Sequence, residues 1–345
     1  KIMHNFYQTV SDRLFRGETV AFATIFENVG SSPRHAGAKM AIYRDGTIFG
    51  TIGGGKLEAM AIEAAKEALV SGFGSRQHFD LTNEDAAASD MICGGYGDIL
   101  ISVLDGNEPA VRDVFAAAAR SENANEPGWL VTRCAGDGRA DQFCFIDAEG
   151  TKIAPFSGTD FDLASLRGTP GRISVHSSVL ERDDIFLEAI SPAIRVFVFG
   201  GGHVAKETVL LLNLASFRTI VIDDRAEFVS SERFPNSERH LVETYRDLSR
   251  FHVTAHDCIV ILTRGHLGDY DVLKWALTTD APYIGMIGST TKRERIYERL
   301  RGEGVSDAQL QRVTSPIGIP IAGETPFEIA VSIAAQLIDF RGTNL

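Results

Sequence analysis

Cysteine is scarce in this chain, with four in 345 residues, at Cys93, Cys134, Cys144 and Cys258. Their spacing matches no metal-ligand pattern, which makes structural zinc a poor reading and fits a reducing cytoplasm. Basic residues are also in deficit: 34 Lys and Arg against 46 Asp and Glu leave a net charge of −12. A nucleic-acid partner therefore has no electrostatic footprint. Long apolar runs are missing too. Nothing approaches the roughly 18 uninterrupted apolar residues of a membrane span, and no basic-then-apolar leader opens the sequence at Lys1. The expectation is a cytoplasmic protein without membrane or nucleic-acid partners. A hydrophobic content of 44% is ample for packed cores, and the length suggests two domains.

The strongest local pattern is Arg195-Val-Phe-Val-Phe-Gly-Gly-Gly-His-Val-Ala205. A continuous apolar run entering a glycine turn reads as a strand buried on both faces of a parallel sheet, followed by a helix. Gly200 permits the tight turn, and Gly202 lets a pyrophosphate approach backbone N–H groups. Ala205 allows close helix–strand packing, and the helix start beside His203 favours an anion. A second apolar run, Thr219-Ile-Val-Ile-Asp-Asp224, ends in acid. Asp223 lies about 20 residues beyond Gly202, the spacing of the ribose-binding acid in a dinucleotide-binding βαβ unit, with Arg225 close by. Further buried strands are expected at 257–263 and 283–288. Their carboxyl ends carry His266 and Ser289, at positions where ligands of doubly wound sheets collect. The plainer alternative is a βαβ unit whose glycines serve only the turn.

The amino-terminal half reads as an α/β domain with a mixed sheet. An amphipathic helix over 3–17 precedes a strand at 19–26, a hairpin over 39–52 and a helix over 56–71. Gly53, Gly54 and Gly55 stand at the mouth of that last helix, where bare N–H groups suit an anion. The loop before the hairpin supplies Arg34, His35 and Lys39, so a phosphate-bearing ligand and a simple strand-to-helix connection are both open readings. Cys93 precedes Gly94 and Gly95 in a second turn-rich segment, as a thiolate for a soft metal, a nucleophile or a small buried hydrophobe. Strands at 75–81, 97–104, 128–133, 142–147, 172–176 and 186–191 and a helix at 109–121 complete this half. Ser191-Pro192 is the natural boundary, giving domains over 1–191 and 192–345. The fold class is an amino-terminal α/β domain plus a carboxy-terminal Rossmann-like doubly wound parallel sheet.

Taken together, Gly30-Ser-Ser-Pro-Arg-His-Ala-Gly-Ala-Lys-Met40, Gly50-Thr-Ile-Gly-Gly-Gly55 and Met91-Ile-Cys-Gly-Gly95 resemble the amino-terminal signatures of the XdhC/CoxI family. The other half agrees, through Phe199-Gly-Gly-Gly-His-Val-Ala205, Ile284-Gly-Met-Ile-Gly-Ser289 and Pro316-Ile-Gly-Ile-Pro-Ile-Ala-Gly-Glu-Thr-Pro326. Residues 105–190 match poorly. The resemblance implies a maturation factor of xanthine dehydrogenase and related molybdenum hydroxylases. Such a factor binds molybdenum cofactor (molybdopterin), holds it while a cysteine desulfurase sulfurates the metal, and delivers it to the apo-hydroxylase. The glycine cradles, Arg34 and Lys39 would suit that cofactor's phosphate and Cys93 a soft metal or sulfur, and the resemblance implies a thiol role at the Cys93 position.

Two other readings stay open. One is an NAD(H)-dependent oxidoreductase, which needs an acid or base near the nicotinamide, with His203 and His266 as candidates. The other is a regulatory subunit that senses a nucleotide. Exposed sheet edges are commonly paired, so a homodimer is expected.

Overall fold

The computed structural model describes residues 6–30, 37–80, 95–134, 140–156, 173–176, 184–190 and 193–344. The chain divides into two compact units, residues 3–192 and residues 193–345 with the first two residues.

In the amino-terminal unit α1 (Phe6–Phe15) leads into β1 (Thr19–Gly30), which is followed by the hairpin β2 (Lys39–Tyr43) and β3 (Ile48–Gly50). Then come α2 (Gly55–Ser71), β4 (Ser75–Asp80), β5 (Gly95–Asp105) and α3 (Pro109–Ala124). The five strands form an antiparallel sheet in the order β3-β2-β1-β5-β4. β1 lies at its centre and is apolar on both sides, as its period of two requires. Ala21, Ala23 and Ile25 face α2, through Leu57, Ala61 and Ala65. Val20 and Phe22 face α1 and α3, through Val10, Leu14 and Phe115. A second antiparallel sheet follows, built from β6 (Gly128–Cys134), β7 (Gln142–Asp147), β8 (Lys152–Ile153), β9 (Ile173–His176) and β10 (Asp184–Ile190) in the order β8-β7-β6-β10-β9. The mixed sheet expected for this half is thus two antiparallel sheets.

The carboxy-terminal unit alternates strands and helices: β11 (Arg195–Phe199), α4 (His203–Leu214), β12 (Arg218–Asp223), β13 (Glu238–Leu241), β14 (Cys258–Ile261), α5 (His266–Ala276) and β15 (Tyr283–Met286). It closes with α6 (Thr290–Gly302), α7 (Asp307–Leu310), β16 (Val313–Thr314) and α8 (Pro326–Asn344). All six strands are parallel, in the order β13-β12-β11-β14-β15-β16. This is the doubly wound Rossmann arrangement, and its strand order reverses between β11 and β14. Residue alternation sorts the two faces. Phe197, Phe199, Ile259 and Ile261 pack against α5 and α6, while Val196, Val198 and Val260 pack against α4 and α8. Ser289 caps α6 by accepting from the Lys292 N–H, and Thr325 and Glu328 form a reciprocal cap at the start of α8. The edge strand β13 lies in a stretch whose polarity reads as turn. Cys144 and Cys258 are buried and free. Burial raises their thiols to about 11 and about 12, so neither is a ready nucleophile.

A buried polar cluster ties the amino-terminal unit together. Lys39 on β2 forms an ion pair with Glu188 on β10 and donates to the Tyr7 hydroxyl at 2.8 Å. Tyr7 on α1 in turn donates to Glu188 at 2.6 Å. Glu122 on α3 accepts from the N–H groups of Phe6 and Tyr7, capping α1. Removing one partner of a buried pair leaves a charge without compensation. Glu188→Gln is therefore expected to lower the stability of this unit by about 3–5 kcal/mol in urea unfolding. The double variant Lys39→Met/Glu188→Leu should recover most of that loss.

Candidate functional site

In the amino-terminal unit the register pairs two of the signature segments at one end of the first sheet. Gly30, the last residue of β1, pairs with Gly95, the first of β5. Lys39 opens β2 opposite Thr24, and Gly50 ends β3 opposite Met40. The segments that carry Arg34 and Cys93 therefore leave and re-enter the sheet on paired residues. Arg34, Cys93 and Gly94 themselves lie outside the described residues.

The three glycines at the start of α2 all have positive φ, at 126°, 75° and 60° for Gly53, Gly54 and Gly55. Two of their N–H groups are engaged: Gly53 donates to the Thr51 hydroxyl at 3.1 Å, and Gly54 to the Glu58 carboxylate at 3.1 Å. Thr51 also donates to Glu58 at 2.6 Å, so this helix start already holds a carboxylate of its own. Lys39 is held by Tyr7 and Glu188, and burial lowers its ammonium to about 7.

At the carboxyl ends of the parallel strands, the glycine turn after β11 is fixed by contacts that only glycine permits. A Cβ on Gly200, at φ +101°, would lie 2.3 Å from the Leu262 carbonyl oxygen. One on Gly201 would lie 2.1 Å from the Phe228 carbonyl oxygen. Gly202 differs, since a Cβ there meets nothing within 4 Å. It is the N-cap of α4 and has no side-chain cap, with His203 exposed beside it. An anion can approach on this side. The carbonyl side of the turn is taken by Arg233, which donates to Gly201 O at 2.7 Å and Gly202 O at 3.0 Å.

Asp223 is fully buried. One carboxylate oxygen accepts from the Gly201 N–H at 2.7 Å and from Arg225 Nη2 at 2.9 Å. The other accepts from the Arg225 N–H and Nε. Burial pushes this carboxyl up, but the Arg225 and Gly201 hydrogen bonds outweigh it and hold the pKa below the usual carboxylate range. Its neighbour Asp224 is partly exposed; its Oδ1 is buried, makes no hydrogen bond and lies 3.6 Å from Arg225 Nε, with Arg264 at 3.9 Å from its other oxygen. The carboxylate left for a ligand at this strand end is Asp224. Its only sequence signal is the doubled aspartate.

His266 and Ser289 come together on one cavity of about 450 Å³ between the starts of α5 and α6. Lys292 in its lining belongs to a buried relay that sequence reasoning passes over. The Thr263 hydroxyl donates to Asp269 at 2.6 Å, and Asp269 forms an ion pair with Lys292. Among the described residues, no group of three or more His, Cys, Asp or Glu side chains is placed to hold a metal ion. No helix of the described residues is long and apolar enough to cross a membrane.

The fold and this crevice define a two-unit α/β protein whose second unit follows the Rossmann plan. Residues 196–337 match the XdhC Rossmann domain, and residues 14–80 match the XdhC and CoxI family. The chain belongs to the XdhC/CoxI family. It is 27% identical over 349 aligned residues to a Bacillus subtilis (strain 168) protein described as a probable xanthine dehydrogenase subunit, covering 98% of each chain. It is 23% identical to the YqeB protein of Escherichia coli (strain K12), covering 93% of this chain and 43% of that longer one. Among solved structures, a protein described as a xanthine dehydrogenase from Bacillus halodurans matches with a TM-score of 0.80 and 24% identity. That match covers 98% of this chain and 96% of the other.

Two outcomes test this geometry. Gly200→Ala and Gly201→Ala should each cost at least about 1–3 kcal/mol through backbone clash, whereas Gly202→Asn, a favourable N-cap in open space, should leave the melting temperature nearly unchanged. Because the Asp223 pKa is depressed on folding, its stabilisation is present above the unfolded value of about 4 and lost as pH falls through the folded value. An acid-unfolding series should show Asp223→Asn less stable at neutral pH and less sensitive to acid below about pH 4.

Proposed function

We propose that this protein is a maturation factor that binds molybdenum cofactor and delivers its sulfurated form to a xanthine dehydrogenase-type hydroxylase. In this reading a cysteine desulfurase is the sulfur-donating partner, and the protein works as a cytoplasmic homodimer. The observation that carries it is the pairing of Gly30 with Gly95. It brings the attachment points of the Arg34 segment and the Cys93 segment to one sheet end, in a chain of the XdhC/CoxI family. A guanidinium and a thiol are the chemistry that suits a ligand with a phosphate at one end and a soft metal at the other. The cofactor, when bound, would supply the molybdenum and its dithiolene. This chain's residues would bind, orient and shield it, the chemistry belonging to partners. The name of the Bacillus subtilis relative supports the choice of partner.

A second reading rests on the open side of the glycine turn. Gly202 and the partly exposed carboxylate of Asp224 suit a nucleotide, as either a regulatory ligand or a redox cofactor. Ribose recognition would then fall to Asp224, since Asp223 is enclosed.

The test is anaerobic binding of isolated molybdenum cofactor to the purified protein, with Cys93→Ser in parallel and NADH as competitor. Stoichiometric binding, weakened about tenfold or more by the substitution, is the expected result. No cofactor binding, together with tight NADH binding and its oxidation by an added acceptor, would overturn the reading in favour of the oxidoreductase.

A further inference from the structure

We propose that the cavity between α5 and α6 is a binding site for a phosphomonoester, separate from the glycine turn after β11. The inference does not rest on the maturation role.

The chain is strongly acidic, at −12 overall, yet three cationic side chains of α6, Lys292, Arg295 and Arg299, line this one cavity of about 450 Å³. Two carboxylates contact them. Asp269 takes Lys292, and Glu303 lies 3.6 Å from Arg299 and also takes Lys274. Among the described residues the three cations that line the cavity thus meet two acids, one of them shared with Lys274, and the surplus is positive. Arg295 makes no hydrogen bond or ion pair with any described residue. Its guanidinium offers a planar fork matched to phosphate oxygens.

Lys292 is positioned by the fold. Its stem lies over Gly288, where a Cβ would come within 2.8 Å of Lys292 Cδ. The stem passes through the space a Gly288 side chain would take, and its ammonium pairs with Asp269, itself fully buried and anchored by Thr263. An ammonium has three donors. One meets Asp269, another points toward the Ile287 carbonyl at 3.5 Å, and the third is left for a ligand.

Apolar side chains complete the lining. Tyr270 of α5 and Ile296 of α6 are both buried, and the Arg299 guanidinium lies 3.7 Å from the centre of the Tyr270 ring. A volume of 450 Å³ is larger than a bare phosphate needs and falls within the range of small-molecule sites. The geometry therefore points to a dianionic phosphate on a compact organic group. A phosphodiester, with a single negative charge, matches the surplus less well.

The test measures binding of adenosine 5′-monophosphate, adenosine and NAD to the full chain by titration calorimetry, with inorganic phosphate as competitor. The variants are Arg295→Gln, which alters an exposed side chain with no partner to lose, and Gly202→Asn. The expected result is that the monophosphate binds and is displaced by inorganic phosphate, that adenosine does not bind, and that NAD binds more weakly. Arg295→Gln should weaken the monophosphate about tenfold or more at an unchanged melting temperature. If no phosphate-bearing probe binds at millimolar concentration, or if binding survives Arg295→Gln and is lost in Gly202→Asn, the proposal is overturned.

Discussion

The carboxylate of Asp223 governs how the carboxy-terminal unit meets a ligand. It ends β12 in the interior and gathers the Gly201 N–H and the Arg225 side chain around itself. Burying an ionised group without such partners would cost several kcal/mol. The donors are therefore part of the fold, and they occupy the acceptor positions of the carboxylate that a ribose hydroxyl would need. With Arg233 across the carbonyl side, the turn is a braced corner that stays open only at Gly202.

Charge is distributed on a similar plan. The acidic excess surrounds a small number of places where cations converge, and each is anchored by a buried acid. Asp269 fixes Lys292 beneath a cavity, Glu188 fixes Lys39 between two sheets, and Asp257 fixes Arg195 through both its Nε and Nη2 groups. Such pairs are poor sources of stability. They hold long side chains in one position, which is what a binding surface requires. The difference between them is access: Lys39 is enclosed by its partners, while Lys292 borders open volume.

How much of this was legible in the sequence depended on how local the causes were. The strands β11, β12, β14 and β15 are buried on both faces and read as unbroken apolar runs, so their order and the glycine turn were visible. β13 was not, because an edge strand with the sequence Glu-Arg-His-Leu pairs through its backbone and carries no apolar pattern. α5 begins at Gly265, with positive φ and no side-chain cap, and so offers no start signal. At the candidate site, spacing could locate Asp223 but not show which donors already hold it. Arg233 reaches the turn from a remote segment that gives no hint of the contact. Likewise Lys39 looks like a phosphate ligand until Glu188, from the segment 105–190 that resembles the family least, proves to be its neighbour. The parts of the Cys93 and Arg34 segments outside the described residues keep their reading from sequence alone.

The position of α8 in the chain has an effect on synthesis. Ile333, Ala334 and Leu337 of this last helix pack with Val209 and Leu212 of α4, the first helix of the unit, over the central strands β11 and β14. Until residues 326–337 have been made, one face of the parallel sheet has α4 but not α8 to cover it, and part of its apolar surface stays in water. The amino-terminal unit draws its core from residues before 193 and has no such dependence. On the ribosome the two halves should therefore mature differently. The first can close while translation continues, and the second waits as an exposed, chaperone-recognisable sheet for its final helix.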